Sequence, residues 1–177
     1  MHRAAKFIPY DPAYVDQVAQ AFHEVFTTPP WSETLSLNDA RSQLVADSQR
    51  PGFGGILILS GDDVAGFSWW IDINGNELND RWRPRFAPKD QVPRPEGAGV
   101  FMMEFGVIAA MRNHGLGYRL LKDTLTQVEP NHDWLALNTQ AFAHAGLALL
   151  KSQGFEELGL VGVQVPTRIC LMKVLQQ

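Results

Sequence analysis

The sequence predicts a mixed α/β fold in which helices flank a central, mostly antiparallel sheet with one parallel β-α-β crossover. Two β-rich runs are joined by Gly61, Asp62 and Asp63, which is typical of a hairpin. The nearly all-apolar strand at 100–108 is followed by an amphipathic helix and then another strand, which indicates a crossover. The length of 177 residues is ordinary for one domain, so residues 1–177 are expected to form a single domain.

Each element has its own local signal. Asp11 and Pro12 form a helix start, and apolar residues then recur at helical spacing. The hairpin strands are GGILILS and DVAGFSWWIDI. Periodicity predicts helices over 14–26, 37–47, 115–128 and 142–153, and strands over 100–108, 133–139, 156–161 and 167–174.

The segment from about 74 to 95 interrupts this pattern. It is polar and contains Pro84, Pro88, Pro93 and Pro95. It is too long for a plain turn, so a functional loop or flap is expected there.

Composition excludes several classes of protein. A formal charge of -4 argues against a general nucleic-acid binder. No run of 18 apolar residues and no signal peptide is found, so a cytoplasmic protein without a membrane partner is expected. The five histidines and the single Cys170 do not fall at zinc-ligand spacing, so no metal is expected.

The stretch MRNHGLGYRLL at 111–121 indicates a loop that binds an anion. Gly115 and Gly117 allow close approach of the backbone to a ligand, and the junction from a strand into a helix N-terminus favours negative charge. Arg112 either adds charge or braces the loop. Neither a Walker loop nor a Rossmann fingerprint is present, and a tight turn with a structural glycine is the alternative.

The motif R-x-x-G-x-G at 112–117, between an apolar strand and a helix, resembles the signature of the GNAT N-acetyltransferase superfamily. The downstream strand WLALN and the segment KSQGF, which ends at Phe155, are similar to the same family. The resemblance is specific over about 101–155 and architectural elsewhere. It implies a GNAT-like fold and an enzyme that transfers an acetyl group from acetyl-CoA to a primary amine of a small molecule or peptide.

The resemblance also implies a set of residues that bind the coenzyme. The end of the long strand would pair with the pantetheine arm, the glycine loop would hold the pyrophosphate through backbone amides, and Asn138 would bond the pantetheine. The residues concerned are Gly106, Val107, Ile108, Arg112, Asn113, His114, Gly115, Leu116, Gly117, Tyr118 and Asn138.

Two residues are candidates for the chemistry. Glu104 lies inside an apolar strand, where a carboxylate needs a wet cleft or a partner, and it is the expected general base. A merely half-exposed or paired Glu104 is the alternative. The resemblance assigns the backbone N–H of Val107 to the oxyanion. Leu150 replaces the tyrosine that protonates the thiolate in many members; Tyr118 and His144 are weak substitutes.

Acceptor contacts are expected from Trp31, Glu33, Trp70 and Trp82, although Trp31 could instead pin its loop to the core. The acceptor amine itself is not identified. Exposed strand edges near the C-terminus are compatible with a homodimer. Two alternatives remain: a catalytically weak acyl-CoA-binding regulatory domain of the same fold, and an unrelated anion-binding domain.

Overall fold

A computed structural model describes residues 5–84, 86–87, 91–161 and 168–175. The chain divides into two compact units. The first contains Met1–Ile71 with Met103–Gln127, and the second contains Asp72–Met102 with Val128–Gln177. The expectation of a single domain over 1–177 stays a prediction.

The elements follow the predicted order closely. The strands are β1 Lys6–Pro9, β2 Gly54–Ser60, β3 Asp63–Asn74, β4 Phe86–Ala87, β5 Ala98–Val107, β6 Trp134–Gln140, β7 Glu156–Val161 and β8 Arg168–Val174. The helices are α1 Val15–Thr27, α2 Leu37–Ser48, α3 Gly75–Trp82, α4 Leu116–Val128 and α5 His144–Ser152. Predicted bounds differ from these by two residues or fewer wherever an element was predicted.

The sheet is mixed, as predicted. In the first unit the strand order is β1-β2-β3-β5, and the β1–β2 and β2–β3 pairs are antiparallel. In the second unit β5 pairs in parallel with β6, from Gly99 opposite Trp134 to Phe101 opposite Ala136. The order then continues β6-β8-β7-β4 with antiparallel pairs. The α/β fold class with one parallel crossover is therefore confirmed.

The core of the first unit explains why α1 forms. Its apolar stripe is buried and packs with Leu44 of α2 and Phe67 of β3, because residues three and four apart share one face of a helix. The Phe22 ring lies edge-on to Trp69, with 5.2 Å between ring centroids. The buried indole N–H of Trp69 donates to Asp47 Oδ2 at 3.1 Å, so this polar group is satisfied.

The segment at 74–95 was expected to be a loop, and this is wrong for residues 75–82, which form α3. The Asn74 side chain accepts from the N–H groups of Asn76 and Glu77, and the Glu77 carboxylate accepts from the N–H of Asn74. This reciprocal capping box starts the helix. Arg85 and residues 88–90 of the segment lie outside the described residues. The functional role of the segment stays a prediction.

Candidate functional site

The turn between β5 and α4 is built on two left-handed residues. A 3-10 turn at Ala109–Met111 follows β5, and then Asn113 has φ 64° and Gly115 has φ 74°. A Cβ on Gly115 would meet nothing within 4 Å, so the backbone angle rather than crowding requires glycine there. The first backbone bond of the helix runs from Arg119 N–H to Gly115 O at 3.1 Å.

The start of α4 presents backbone amides in a first turn without acidic residues. The amides of Leu116, Gly117 and Tyr118 precede the Arg119 bond, so they have no acceptor within the helix. No acidic residue lies in the first turn of α4 to oppose the positive end of the helix dipole. Asn113 and His114, immediately before the helix, are exposed. The turn and the first turn of α4 are compatible with the predicted pyrophosphate loop, whose binding of an anion stays a prediction.

At the end of β5, one edge of the strand is hydrogen-bonded to β3, and the opposite edge faces away from β3. The N–H of Ile108 donates to Ala65 O of β3 at 3.0 Å. Because consecutive residues in a strand direct their N–H and C=O groups to opposite edges, the N–H and C=O of Val107 point away from β3. The oxyanion role of the Val107 N–H stays a prediction.

Arg112 braces this region. Its Nε donates to Val107 O at 3.0 Å and its Nη1 donates to Pro29 O at 2.8 Å. The side chain is half-buried. Of the two roles considered for Arg112, bracing is the one seen in its contacts; contact with a phosphate stays a prediction.

Gly106 is required by the packing of α1. A Cβ there would lie 2.8 Å from Val25 Cγ1 and 3.0 Å from Phe67 Cζ. A larger residue would push α1 away from β5, because interiors have few voids of that size. The predicted pairing of Gly106 with pantetheine stays a prediction.

Glu104 is half-buried on β5 and has a partner that the sequence did not suggest. The side-chain amide of Gln43 on α2 donates to Glu104 Oε1 at 2.7 Å, although the two residues are 61 apart in sequence. An amide donor stabilises the ionised carboxylate and fixes its orientation. No local pattern in the sequence indicates this contact.

The loop between α1 and α2 contains Trp31 and Glu33, both half-buried. The Trp31 ring packs against Phe26, with 5.3 Å between ring centroids, and the N–H of Glu33 donates to Phe26 O at 2.7 Å. Trp31 therefore pins the loop to the core, as the alternative interpretation proposed. Acceptor contacts of both residues stay predictions.

Trp70 and Trp69 point to opposite faces of β3, yet both are buried. Trp70 is 6% exposed and Trp69 is 0% exposed. A Cβ on Gly54 would lie 2.6 Å from the Trp70 ring, so glycine makes room for this indole. Trp70 offers little surface to an acceptor, and its predicted role stays untested.

In the second unit, two predicted site residues bond directly to each other. The indole N–H of Trp82 donates to Asn138 Oδ1 at 2.7 Å, and the ring is 0% exposed. Phe86 stacks on Trp82, with 6.0 Å between ring centroids. The buried indole of Trp82 orients the side chain of Asn138. The predicted roles of both residues toward ligands stay predictions.

Other candidate groups are buried or absent within the described residues. Leu150 is buried, and burial raises the pKa of the Cys170 thiol well above its ordinary value, so this thiol is a poor nucleophile. Among the residues that the structure describes, no three His, Cys, Asp or Glu side chains cluster as metal ligands would. In the same part of the chain, no helix has the length and apolar character that a bilayer-spanning segment requires.

Comparison with known proteins identifies structures of the same fold. Neither a family model nor a curated protein sequence matches this chain. Solved structures do match. A GNAT-family acetyltransferase from Streptococcus agalactiae superposes with a TM-score of 0.70 and 12% identity, over 100% of this chain and 99% of that chain.

Two further structures are similarly close. The ribosomal-protein-alanine N-acetyltransferase from Brucella melitensis gives a TM-score of 0.69 and 18% identity, over 96% of this chain and 99% of that chain. NAA60 from Arabidopsis thaliana in complex with acetyl-CoA gives 0.68 and 15%, over 97% of this chain and 100% of that chain. The chain therefore has the fold of the GNAT acetyltransferases, and the resemblance seen in the motif at 112–117 is confirmed at the level of the fold.

Proposed function

We propose that the protein is an N-acetyltransferase that transfers an acetyl group from acetyl-CoA to a primary amine by direct attack. The observation that carries the proposal is the left-handed turn at Asn113 and Gly115. It leads into the backbone amides at the start of α4, where the first turn contains no acidic residue. Such amides bind a phosphate group through hydrogen bonds and the helix dipole. When bound, acetyl-CoA supplies an activated thioester as the acyl donor.

The chain supplies an electrostatic contribution at the end of β5. The Val107 N–H points away from β3, because the neighbouring Ile108 N–H is bonded to Ala65. We place the thioester oxygen against this N–H, where a fixed donor stabilises the negative charge that develops during acyl transfer. The Arg112 bond to Val107 O holds this peptide segment in place.

The chain also supplies a proton acceptor. Glu104 is half-buried, and its Oε1 is oriented by the Gln43 amide at 2.7 Å. In the proposal the carboxylate takes a proton from the ammonium group of the acceptor, directly or through a water, and the neutral amine then attacks the thioester carbonyl. The buried Leu150 cannot give a proton to the departing thiolate. A thiol has a reference pKa of roughly 8.5, so the thiolate leaves without a dedicated acid.

Titration calorimetry with acetyl-CoA is the first test. We expect saturable binding to the wild type and its loss in Gly117→Glu, because the new carboxylate brings bulk and like charge to the amides of α4. Absence of binding at millimolar acetyl-CoA would contradict the proposal, and the remaining interpretation would be an unrelated anion-binding domain or a structural turn.

A screen of primary amines is the second test. Aminoglycosides, polyamines, amino acids and short peptides would be supplied with acetyl-CoA, and free coenzyme A would be measured with a thiol reagent. We expect release above the background hydrolysis rate with at least one class. Binding without release across the panel would instead favour the regulatory acyl-CoA-binding domain.

A further inference from the structure

We infer that Arg112 is a positioning residue that couples the proposed coenzyme loop to the loop between α1 and α2. The inference rests on the proposed function and goes beyond it, because it assigns to one side chain the alignment of the two substrate sites. The observation is the pair of bonds that one guanidinium makes, to Val107 O at 3.0 Å and to Pro29 O at 2.8 Å. These carbonyls belong to the end of β5 and to the α1–α2 loop.

The guanidinium suits this task because its donors lie in a rigid plane. Nε and Nη1 donate in different, fixed directions within that plane, and each is used on a separate carbonyl oxygen. A lysine has a single ammonium on a flexible stem, so it cannot reproduce the planar fork that holds both carbonyls. The guanidinium of Arg112 thus binds a residue, Pro29, that lies 83 positions away in the sequence.

The α1–α2 loop needs an external donor. Pro29 and Pro30 have no backbone N–H, so this part of the loop can be held only through carbonyls and side chains. The next residues are tied back to α1, since Trp31 N–H and Ser32 N–H both donate to Thr28 O, at 3.1 and 3.2 Å. Arg112 holds the other side of the turn, and together these bonds fix the segment that bears Trp31 and Glu33.

A consequence follows for binding. Arg112 lies directly before the left-handed Asn113, so its backbone is part of the turn that the coenzyme would order. Ordering that turn also fixes the guanidinium and, through Pro29 O, the α1–α2 loop. The entropic cost of ordering the α1–α2 loop is then incurred when the coenzyme binds. The acceptor therefore binds more tightly to the coenzyme complex than to the free protein.

The test compares Arg112→Ala and Arg112→Lys with the wild type by hydrogen exchange and by kinetics. In the protein without ligand, we expect exchange of the peptide covering 28–35 to rise by about tenfold in Arg112→Ala, because a charged hydrogen bond is lost. Arg112→Lys should lie between the two. With an amine substrate, the acceptor KM should rise by a similar factor, while the KM for acetyl-CoA changes less.

Arg41→Ala is the matched control. Arg41 is also an arginine of the first unit, and it makes an exposed ion pair with Asp16 at 2.7 Å. Its loss removes a contact between α1 and α2 without touching the Pro29 carbonyl, so exchange at 28–35 should remain at the wild-type rate.

Two outcomes would overturn the inference. Unchanged exchange at 28–35 in Arg112→Ala would show that the bond to Pro29 does not hold the loop. A large loss of acetyl-CoA affinity with an unchanged acceptor KM would instead assign Arg112 to the pyrophosphate. The exchange measurement needs no activity, so it remains decisive even if the wild type fails to bind acetyl-CoA and the proposed function falls.

Discussion

Glu104 is the residue on which the proposed proton transfer depends. Replacement by glutamine keeps the shape and removes the base, so we expect turnover to fall by about 100-fold or more. Acetyl-CoA affinity should be nearly unchanged, because Glu104 lies on β5 before the loop that is proposed to hold the coenzyme. Initial rates and calorimetry measure the two effects separately.

The matched control is Glu24→Gln, which neutralises another half-buried glutamate of the first unit and lies on α1. It should leave turnover within about twofold of the wild type, since changes away from the chemistry have small effects. Wild-type turnover in Glu104→Gln would remove this residue from the mechanism.

Burial of Cys170 predicts that the free energy of unfolding falls at alkaline pH. Burial raises the pKa of its thiol in the folded protein above the ordinary value of 9.0. The buried thiol therefore makes its full contribution to the free energy of unfolding below pH 9.0. This contribution is lost as pH rises above 9.0, because the thiol deprotonates first in the unfolded chain. The slope from this one group approaches about 1.4 kcal/mol per pH unit.

Urea unfolding of wild type and Cys170→Ala between pH 8 and pH 10, roughly the range that spans the reference thiol pKa, checks this expectation. The alanine variant should be less stable throughout but should lose less stability as pH rises. Tyr10, whose pKa is raised from 10.0 first by burial and then by Asp11, begins to contribute in the same sense near pH 10. Both proteins contain Tyr10, so its effect cancels in the comparison. Parallel pH profiles for the two proteins would refute the assignment.

At the scale of elements, the capping box of α3 makes a separable contribution. Asn74→Ala removes the acceptor for two backbone N–H groups, at 2.9 Å and 3.0 Å. We expect a loss of about 1 kcal/mol in the free energy of unfolding. The midpoint of urea unfolding gives the value.

Asn76→Ala is the control for this helix, because Asn76 is exposed in the first turn and contributes only its backbone N–H to the cap. Its effect should stay within about 0.5 kcal/mol. Equal losses in both variants would mean that the side chain of Asn74 does not stabilise α3.

At the scale of the whole molecule, binding of acetyl-CoA should stabilise the fold. At a free concentration one hundred times Kd, the expected gain is about 2.7 kcal/mol. For a chain of 177 residues this raises Tm by roughly 5 to 10 °C. Differential scanning fluorimetry measures the shift, and Gly117→Glu should abolish it. A shift of the same size in that variant would place the coenzyme elsewhere.

Elements with strong local signals were predicted well, because their signals lie within a few residues. The Asp11 cap of the 3-10 turn Pro12–Tyr14, which leads into α1, and the hairpin around Gly61 are examples. The helix α3 was missed because its polarity and the prolines that follow it outweighed the Asn74 and Glu77 box, which is only a weak signal by itself.

Within the site, the sequence indicated the turn at Gly115 and the strand that bears Glu104, since glycine pattern and apolar runs are local properties. It could not indicate the partners. The bonds from Gln43 to Glu104 and from Arg112 to Pro29 join residues that are 61 and 83 apart in sequence. Burial of both Trp69 and Trp70 was likewise unpredictable from alternation along one strand.

The sequence by itself determined the order of most helices and strands and the glycine turn before α4, because backbone angles and periodicity are set by neighbouring residues. Only the tertiary structure decided how donors and acceptors are matched. That matching depends on which distant chain segments pack together, so Arg112 became a brace and Trp82 the partner of Asn138.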